Sequence, residues 1–262
     1  MRLGMITLDY SAKGFDRLKN MNFQFAELCC NNSEESKQLV ANKNNIKEQI
    51  KRTGIDVSCI GRWNHSLNSG GKIDAEKEQD YFDLLDTAID LGAKTFNCGI
   101  NYDNSISYFK NCVNAIEFFT KLVKRAENSG TKVAVQNCSW NNFVKSPDEW
   151  KIILDEVKGL YLKFDASHAY YRGEDYLSQL SDWCERVAHI HIKGMTKAGA
   201  RIVDDPPAGM DDLKWPSIFA ILYSRNHDGD LSIEPHSPVW RGELADKGII
   251  FTRDYVKKFI LR

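Results

Sequence analysis

The feature that most constrains this chain is an alternation of short β-prone runs with longer stretches of helical period, which continues to the C-terminus. Eight runs are predicted to be strands: 2–8, 23–28, 56–60, 95–98, 132–136, 161–165, 187–193 and 231–234. Between them, apolar residues recur at intervals of three and four, as in 81–89, 109–123, 150–157 and 250–259. Such an alternation indicates parallel strands covered by helices.

The chain contains no Pro/Gly/Ser-rich linker and no low-complexity segment, so one domain over residues 1–262 is expected. Eight strand–helix units can form a doubly wound sheet or a closed barrel. A doubly wound sheet would favour a Gly-rich phosphate turn after an early strand, and none is present. We therefore predict a single (β/α)8 TIM barrel, in which functional residues lie at the carboxyl ends of the strands.

Charge and composition exclude several classes of function. Lys plus Arg number 35 against 36 Asp plus Glu, so the net charge of -1 lacks the basic excess typical of binding to duplex nucleic acid or to an anionic membrane. The start of the chain has no apolar signal region and no span-length apolar run follows, which predicts a cytoplasmic protein. Seven cysteines without a Cys-x-x-Cys pair are predicted to be reduced thiols.

Polar residues end four successive predicted strands with the parity opposite to their apolar neighbours. They are Gln136, Asp165, His191 and Glu234, and a closed barrel would bring them to one point. Carboxylate, imidazole and carbonyl oxygen ligands suit a divalent metal such as Mn, Co, Mg or Zn. Exposure of strand ends to water is a simpler explanation for any one of these polar residues. It explains the occurrence of all four less well.

Four segments carry a resemblance to a known family: 135–138, 164–168, 189–194 and 231–236. Together with 207–210 leading to Trp215, and the run 228–230, they resemble the xylose isomerase-like TIM barrels, in the sugar phosphate isomerase/epimerase branch. The resemblance is sharp from about residue 132 onward. Each motif is weak alone, and their order and spacing together are fairly specific.

This resemblance implies roles for individual residues. Gln136, Asp165, His191 and Glu234 would hold the metal, and His168 would touch the substrate. The remaining candidates for contact with a carbohydrate are Arg201, Lys193, Glu27, His65 and Trp215. An exposed loop histidine is an equally good interpretation of His65, and ordinary loop packing is an equally good interpretation of Trp215.

Gln136 departs from the family pattern, in which strand five offers Glu. Epimerases of the two-base kind use carboxylates of strands five and eight, and an amide cannot act as a base. These residues still allow a one-base enolisation. In this reaction Glu234 or His168 removes a proton from the carbon beside a carbonyl group to give an enediolate. We therefore predict a metal-dependent sugar isomerase or epimerase, and expect Gln136→Glu to tighten metal binding with little loss of stability.

Other readings remain open. The same enediolate can expel a β-oxygen, which would make the protein a dehydratase, a lyase or an enzyme of keto-glycoside cleavage. A non-catalytic sugar-binding subunit with a weakened metal site, acting in a homo- or hetero-oligomer, is a further alternative. The apurinic endonuclease branch of the barrel uses several zinc ions and binds a polyanion, and six histidines with a net charge of -1 do not favour it.

Overall fold

Twelve strands are found in the computed structural model, which describes residues 1–261. In chain order they are β1 (Leu3–Thr7), β2 (Phe25–Cys30), β3 (Asp56–Arg62), β4 (Asn68–Ser69), β5 (Lys72–Ile73), β6 (Thr95–Cys98), β7 (Lys132–Gln136), β8 (Tyr161–Asp165), β9 (Val187–Ile192), β10 (Thr196–Ala198), β11 (Arg201–Asp204) and β12 (Asp230–Ile233).

Eight of these strands form a closed barrel in the order β1-β12-β9-β8-β7-β6-β3-β2. Every neighbouring pair is parallel, and the barrel closes where Leu3 of β1 pairs with Leu231 of β12. The prediction of a single (β/α)8 TIM barrel is therefore confirmed. β2 and β3 extend two residues beyond their predicted ends because Cys30 still pairs with Arg62.

Ten α-helices within residues 1–261 connect or cover the strands. They are α1 (Ala12–Asn20), α2 (Ser33–Ala41), α3 (Lys43–Thr53), α4 (Ala75–Asp90), α5 (Tyr108–Arg125), α6 (Pro147–Glu156), α7 (Ala166–Tyr171), α8 (Tyr176–Trp183), α9 (Trp215–Ser224) and α10 (Ala245–Lys257). Local sequence sets several of their starts. Ser107 accepts a hydrogen bond from the Lys110 backbone N–H at the start of α5, and Ser146 with Glu149 forms a capping box before Pro147.

Alternation along the strands separates an apolar layer from a polar lumen. Leu162 and Phe164 of β8, like Ile190 and Ile192 of β9, belong to the main buried apolar cluster between sheet and helices. The residues between or beyond them, Lys163, Asp165, His189 and His191, are buried as well. Because successive side chains of a strand point to opposite faces, these polar groups face the barrel interior.

The long segment 194–214 after β9 is not structureless. It contains the antiparallel hairpin of β10 and β11. Asp212 ties the hairpin down, since its carboxylate accepts from the Lys197 backbone N–H at 2.8 Å and its own N–H donates to the Met195 carbonyl at 3.0 Å. This loop therefore presents fixed side chains to the mouth of the barrel.

Within residues 1–261, no helix is long and apolar enough to cross a membrane. The seven cysteines, all of which lie in this range, are buried free thiols.

Candidate active site

Three side chains meet at the carboxyl ends of neighbouring barrel strands. Asp165 ends β8, His191 lies near the end of β9, and Glu234 directly follows β12. One potential ligand atom from each lies within 4.8 Å of the others. Two carboxylate oxygens and an imidazole nitrogen form a donor set that suits a divalent cation of borderline hardness.

The Asp165 carboxylate has one satisfied and one unsatisfied oxygen. Its Oδ1 accepts from the backbone N–H and the hydroxyl of Ser167, at 2.9 and 2.7 Å. Its buried Oδ2 has no hydrogen-bond partner among the described residues. Burial disfavours the charged form, but the Lys193 ammonium holds the pKa of Asp165 below its usual range. An ionised, buried oxygen without a partner is what a bound cation would satisfy, so the residues present fit a metal.

His191 lies between two carboxylates. Its Nδ1 is 2.9 Å from Glu234 Oε2, and its Nε2 is 2.9 Å from both oxygens of Glu27 on β2. Burial opposes protonation, yet Glu27 and then Glu234 raise the pKa of this imidazole above its ordinary value. With Nε2–H donating to Glu27, the ring is oriented so that Nδ1 faces the Glu234 carboxylate.

Glu27 therefore supports the His191 ring, which it contacts through both carboxylate oxygens. It is fully buried and also accepts from His189 Nε2 at 2.8 Å. Burial disfavours its charge, but the two imidazoles hold its pKa well below the usual range. A second group that could hold a metal ion consists of Glu27, His189 and His191, and all three side chains are fully buried. Glu27, which was predicted to contact the substrate, does not line the cavity at this end of the barrel.

Lys193 and His168 complete the charged side of the site. The Lys193 ammonium lies 3.5 Å from Asp165 Oδ2 and 3.8 Å from Glu234 Oε2, and it donates to His168 Nε2 at 3.1 Å. Burial and the adjacent Lys193 charge lower the pKa of His168 well below its usual value. His168 is therefore a neutral imidazole whose Nε2 already accepts a hydrogen bond.

Gln136 belongs to a different, neutral network. Its amide nitrogen donates to His65 Nε2 at 2.9 Å, and its Oε1 lies 3.5 Å from Asn97 Nδ2. Burial lowers the pKa of His65, so its ring is neutral, accepts at Nε2 and donates from Nδ1 to the Tyr81 hydroxyl at 2.7 Å. His65 is thus buried against Gln136 and Tyr81. It does not line the cavity, where a sugar-binding residue was predicted to lie, and it is not the exposed loop histidine of the alternative interpretation.

Lys163 is a residue that the sequence reasoning did not single out. It is fully buried in the lumen, next to Gln136 in register, and its Nζ has no hydrogen-bond partner among the described residues. This nitrogen is 3.9 Å from Asp165 Oδ2 and 5.9 Å from the centre of the Trp63 ring. Its signal in the sequence was a lysine at a lumen-facing position two residues before Asp165.

A cavity of about 830 Å³ opens above these groups. His168, Lys193 and Glu234 line its polar part, together with Asp205, His236 and Arg241. Asp205 accepts from His236 Nδ1 at 2.7 Å across the two loops that carry them.

Two further predicted contacts lie outside this cavity. Arg201 is exposed on β11, and its strand neighbour Ile202 lines the cavity instead, because alternate residues of the hairpin face opposite sides. Trp215 is buried at the start of α9, where its indole N–H donates to Asp211 at 3.0 Å. Arg241 is the arginine on the cavity, and no motif in the sequence marks it.

Solved structures confirm the fold over nearly the whole chain. The 3-keto-D-glucoside 4-epimerase YcjR from E. coli matches with a TM-score of 0.79 at 16% identity, covering 98% of this chain and 99% of that one. D-psicose 3-epimerase from Clostridium cellulolyticum H10 has a TM-score of 0.78 at 16% identity, with 99% of each chain covered. The IolI protein with a bound zinc atom has a TM-score of 0.75 at 16% identity over 100% of both chains.

Sequence comparison gives a more limited match to a curated protein. Inosose dehydratase from Clostridium perfringens is 28% identical over 134 residues, which span 45% of this chain and 45% of that relative. The match thus covers less than half the length of the relative. By contrast, the family model described as xylose isomerase-like TIM barrel matches residues 15–255. The chain therefore belongs to the xylose isomerase-like TIM barrel family.

Proposed function

We propose that this protein is a metal-dependent carbohydrate isomerase or epimerase that removes a proton from the carbon beside a carbonyl group. The observation that carries the proposal is the convergence of Asp165, His191 and Glu234 beside an open cavity. The sugar epimerases among the structural neighbours are consistent with it. A bound divalent cation would supply polarisation of the substrate carbonyl.

Asp165, His191 and Glu234 would hold the cation, and Glu27 would keep the His191 ring in place. Asp165 Oδ2 has no hydrogen-bond partner among the described residues, and its carboxylate is held ionised beside the Lys193 ammonium at 3.5 Å. Gln136 remains a candidate fourth ligand through its amide oxygen. Its present hydrogen bonds to His65 and Asn97 would have to be compatible with that role.

Glu234 is the better candidate for the base. The contacts described for its carboxylate all go to Oε2, which leaves Oε1 for a substrate proton. Burial disfavours its charge, but Lys193 and His191 hold its pKa well below the usual range, so it is ionised at neutral pH. His168 is less suitable, because its Nε2 already accepts from Lys193.

The proton balance follows from these assignments. Glu234 takes the proton from the carbon, and the electron pair of the broken C–H bond moves towards the carbonyl oxygen to give an enediolate. The Lys193 ammonium lies beside the same floor and stabilises the negative charge that develops on oxygen. Return of the proton by Glu234 to the neighbouring carbon gives isomerisation. Epimerisation would need a second proton donor on the opposite face of the carbon, a role that the Gln136 amide cannot fill.

A second candidate is a dehydratase or lyase, and Gln136 is the observation that favours it. Its amide is tied to the neutral His65 ring and cannot exchange protons on the opposite face of the sugar. Loss of a β-oxygen from the enediolate needs only one base at the carbon. The partial relationship to inosose dehydratase points in the same direction.

Proton exchange in deuterated water tests the proposal. Purified protein, loaded with Mn, Co, Mg or Zn in turn, is incubated with free keto-sugars, inososes and oxidised glycosides, and exchange at the carbon beside the carbonyl is followed by NMR. We expect exchange with at least one class, and the accompanying product distinguishes isomerisation from elimination. Stoichiometric metal binding without exchange on any of them would contradict enzymatic function and favour a sugar-binding subunit.

A further inference from the structure

The cavity above the proposed site has two chemically different zones. Its floor is polar and charged, with His168, Lys193 and Glu234. Its walls and mouth are mainly apolar, formed by Ile6, Leu8, Trp63, Trp140, Tyr171 and Met195. A free sugar offers hydroxyl groups on nearly every carbon, so it matches the floor and leaves the walls without a complementary group.

The cavity is also large for one sugar ring. Pockets of roughly 300–1,000 Å³ accommodate drug-sized ligands, and this one measures about 830 Å³. A single ring seated on the Glu234 floor would therefore leave the outer part of the cavity to solvent.

Three large side chains at the mouth are half exposed although they line the cavity. The exposed fractions are 53% for Leu8, 50% for Trp140 and 51% for Tyr171. They come from three separate parts of the chain: the loop after β1, the loop after β7 and the end of α7. Large exposed apolar side chains that line one cavity together, bordered by polar groups, typically mark a binding site.

The aromatic pair of this mouth is held in place rather than loose. The Trp140 backbone N–H donates to Cys138 Sγ at 3.5 Å, and the next residue, Asn141, donates to Asn64 Oδ1 at 2.6 Å. The Tyr171 carbonyl accepts from the Lys197 ammonium at 3.2 Å. Both rings are therefore carried by an anchored backbone, which reduces the entropy cost of stacking on a ligand.

The cations on the cavity are largely committed to acidic partners. Lys193 faces Asp165 and Glu234, and His236 is bonded to Asp205. Arg241 also lines the cavity, and within residues 1–261 its guanidinium has no hydrogen bond or ion pair. A phosphorylated sugar would find one arginine, whereas an apolar group would find several side chains.

From this arrangement we propose that the substrate is an oxidised glycoside, whose carbonyl-bearing sugar ring lies on the Glu234 floor and whose aromatic or apolar aglycone contacts Leu8, Trp140 and Tyr171. The proposal rests on the proposed function, since it assumes that a sugar occupies the floor. It adds a specificity-determining surface that acts through stacking and burial and takes no part in proton transfer.

Calorimetric titration of the protein with phenyl β-D-glucoside and methyl β-D-glucoside tests the proposed aglycone site without requiring turnover. We expect the phenyl glycoside to bind ~10-fold more tightly or better, as burial of an aromatic ring provides. Trp140→Ala and Tyr171→Ala should reduce that preference to about twofold and leave methyl glucoside binding unchanged. Phe109→Ala, which removes an aromatic ring 76% exposed on α5 and outside the cavity, is the matched control and should change neither.

Three results would overturn the proposal: equal affinity for the two glycosides, no measurable phenyl glucoside binding, or tighter binding of glucose 6-phosphate. Loss of self-association in Trp140→Ala, measured by sedimentation and without a change in glycoside preference, would instead assign the mouth to a second copy of the chain and would also overturn it. Thermal melts show whether each variant is folded, and Trp140→Phe should restore the preference. Failure of proton exchange would leave these binding results intact, so the two proposals fail separately.

Discussion

The lumen of the barrel has a charged side and a neutral side. On β2, β8 and β9, and just beyond β9 and β12, Glu27, Asp165, His191, Lys193 and Glu234 contact one another as ions. On β6 and β7, in the loop after β3 and on α4, a hydrogen-bonded chain from Asn97 through Gln136 and His65 to Tyr81 is equally buried but carries no charge. The charged group beside it is the buried Arg62 guanidinium, which lies 5.6 Å from the centre of the Tyr81 ring. The two sides meet where Gln136 pairs in register with Lys163.

The difference shows how a barrel can bury polar groups for two purposes. Buried ions are stable only when their charges are compensated, and removal of one partner leaves an uncompensated charge. The charged side is therefore suited to hold a cation and to retain an ionised base. The neutral side satisfies its donors and acceptors among themselves and fixes the orientation of the Gln136 amide.

The largest effect is expected from removing the proposed base on the charged side. Glu234→Gln keeps the shape of the side chain but cannot accept the substrate proton, so the exchange rate in deuterated water should fall by about 10²-fold or more. Circular dichroism should show an intact fold. Glu243→Gln, at an exposed position in the same connection to α10, is the control. Full activity in Glu234→Gln would remove this residue from the chemistry.

Glu27→Gln tests whether Glu27 on β2 orients the His191 ring on the charged side. The amide has one acceptor oxygen for two histidine N–H groups and no charge, so the His191 ring is held less firmly. Metal affinity measured by calorimetry should therefore fall by roughly 10–100-fold. The substitution leaves the cavity lining unchanged, because Glu27 does not reach it. Unchanged metal affinity would mean that His191 is positioned by other contacts.

Gln136→Glu adds a negative charge to the neutral side. A carboxylate adds charge near the metal position, and if residue 136 is a ligand, affinity should rise by ~10-fold or more. The structure modifies the expectation of little loss of stability, since a carboxylate cannot donate to His65 Nε2 as the amide does. We expect a loss of about 1–3 kcal/mol in the unfolding free energy of the metal-free protein. Gln179→Glu, on α8 and remote from the lumen, is the control substitution. Equal metal affinity of Gln136→Glu and the unsubstituted protein would show that residue 136 is not a ligand.

The smallest effect is a dependence of stability on pH that should come from the charged side. The pKa values of Glu27, Asp165 and Glu234 are held below the ordinary carboxyl range in the fold. Groups lowered in this way stabilise the protein above their unfolded pKa, and this stability is lost as pH falls through the folded value. Urea midpoints of metal-free protein should therefore decrease from about pH 6 to pH 3. Glu27→Gln should flatten the curve, and parallel curves would show that Glu27 does not contribute.

The sequence predicts the positions of Asp165, His191 and Glu234 better than those of Glu27 and His65. Asp165, His191 and Glu234 follow apolar runs with clear parity, so their convergence could be expected once a closed barrel was inferred. Glu27 and His65 could be noticed as polar residues near strand ends, but not assigned to a level of the lumen. Depth within the barrel depends on register, such as the pairing of Ile6 with Glu27, which a single strand does not reveal.

The sequence by itself determined the strand–helix alternation, the apolar outer face of each strand and the order of the candidate ligands, because these follow from local periodicity. Tertiary structure decided that Gln136 bonds to His65, that Lys163 is buried without a hydrogen-bond partner among the described residues, and that Arg241 rather than Arg201 reaches the cavity. Each of these depends on which side chains from distant segments share the same space. Only barrel closure, strand register and the folding of the connecting loops fix that.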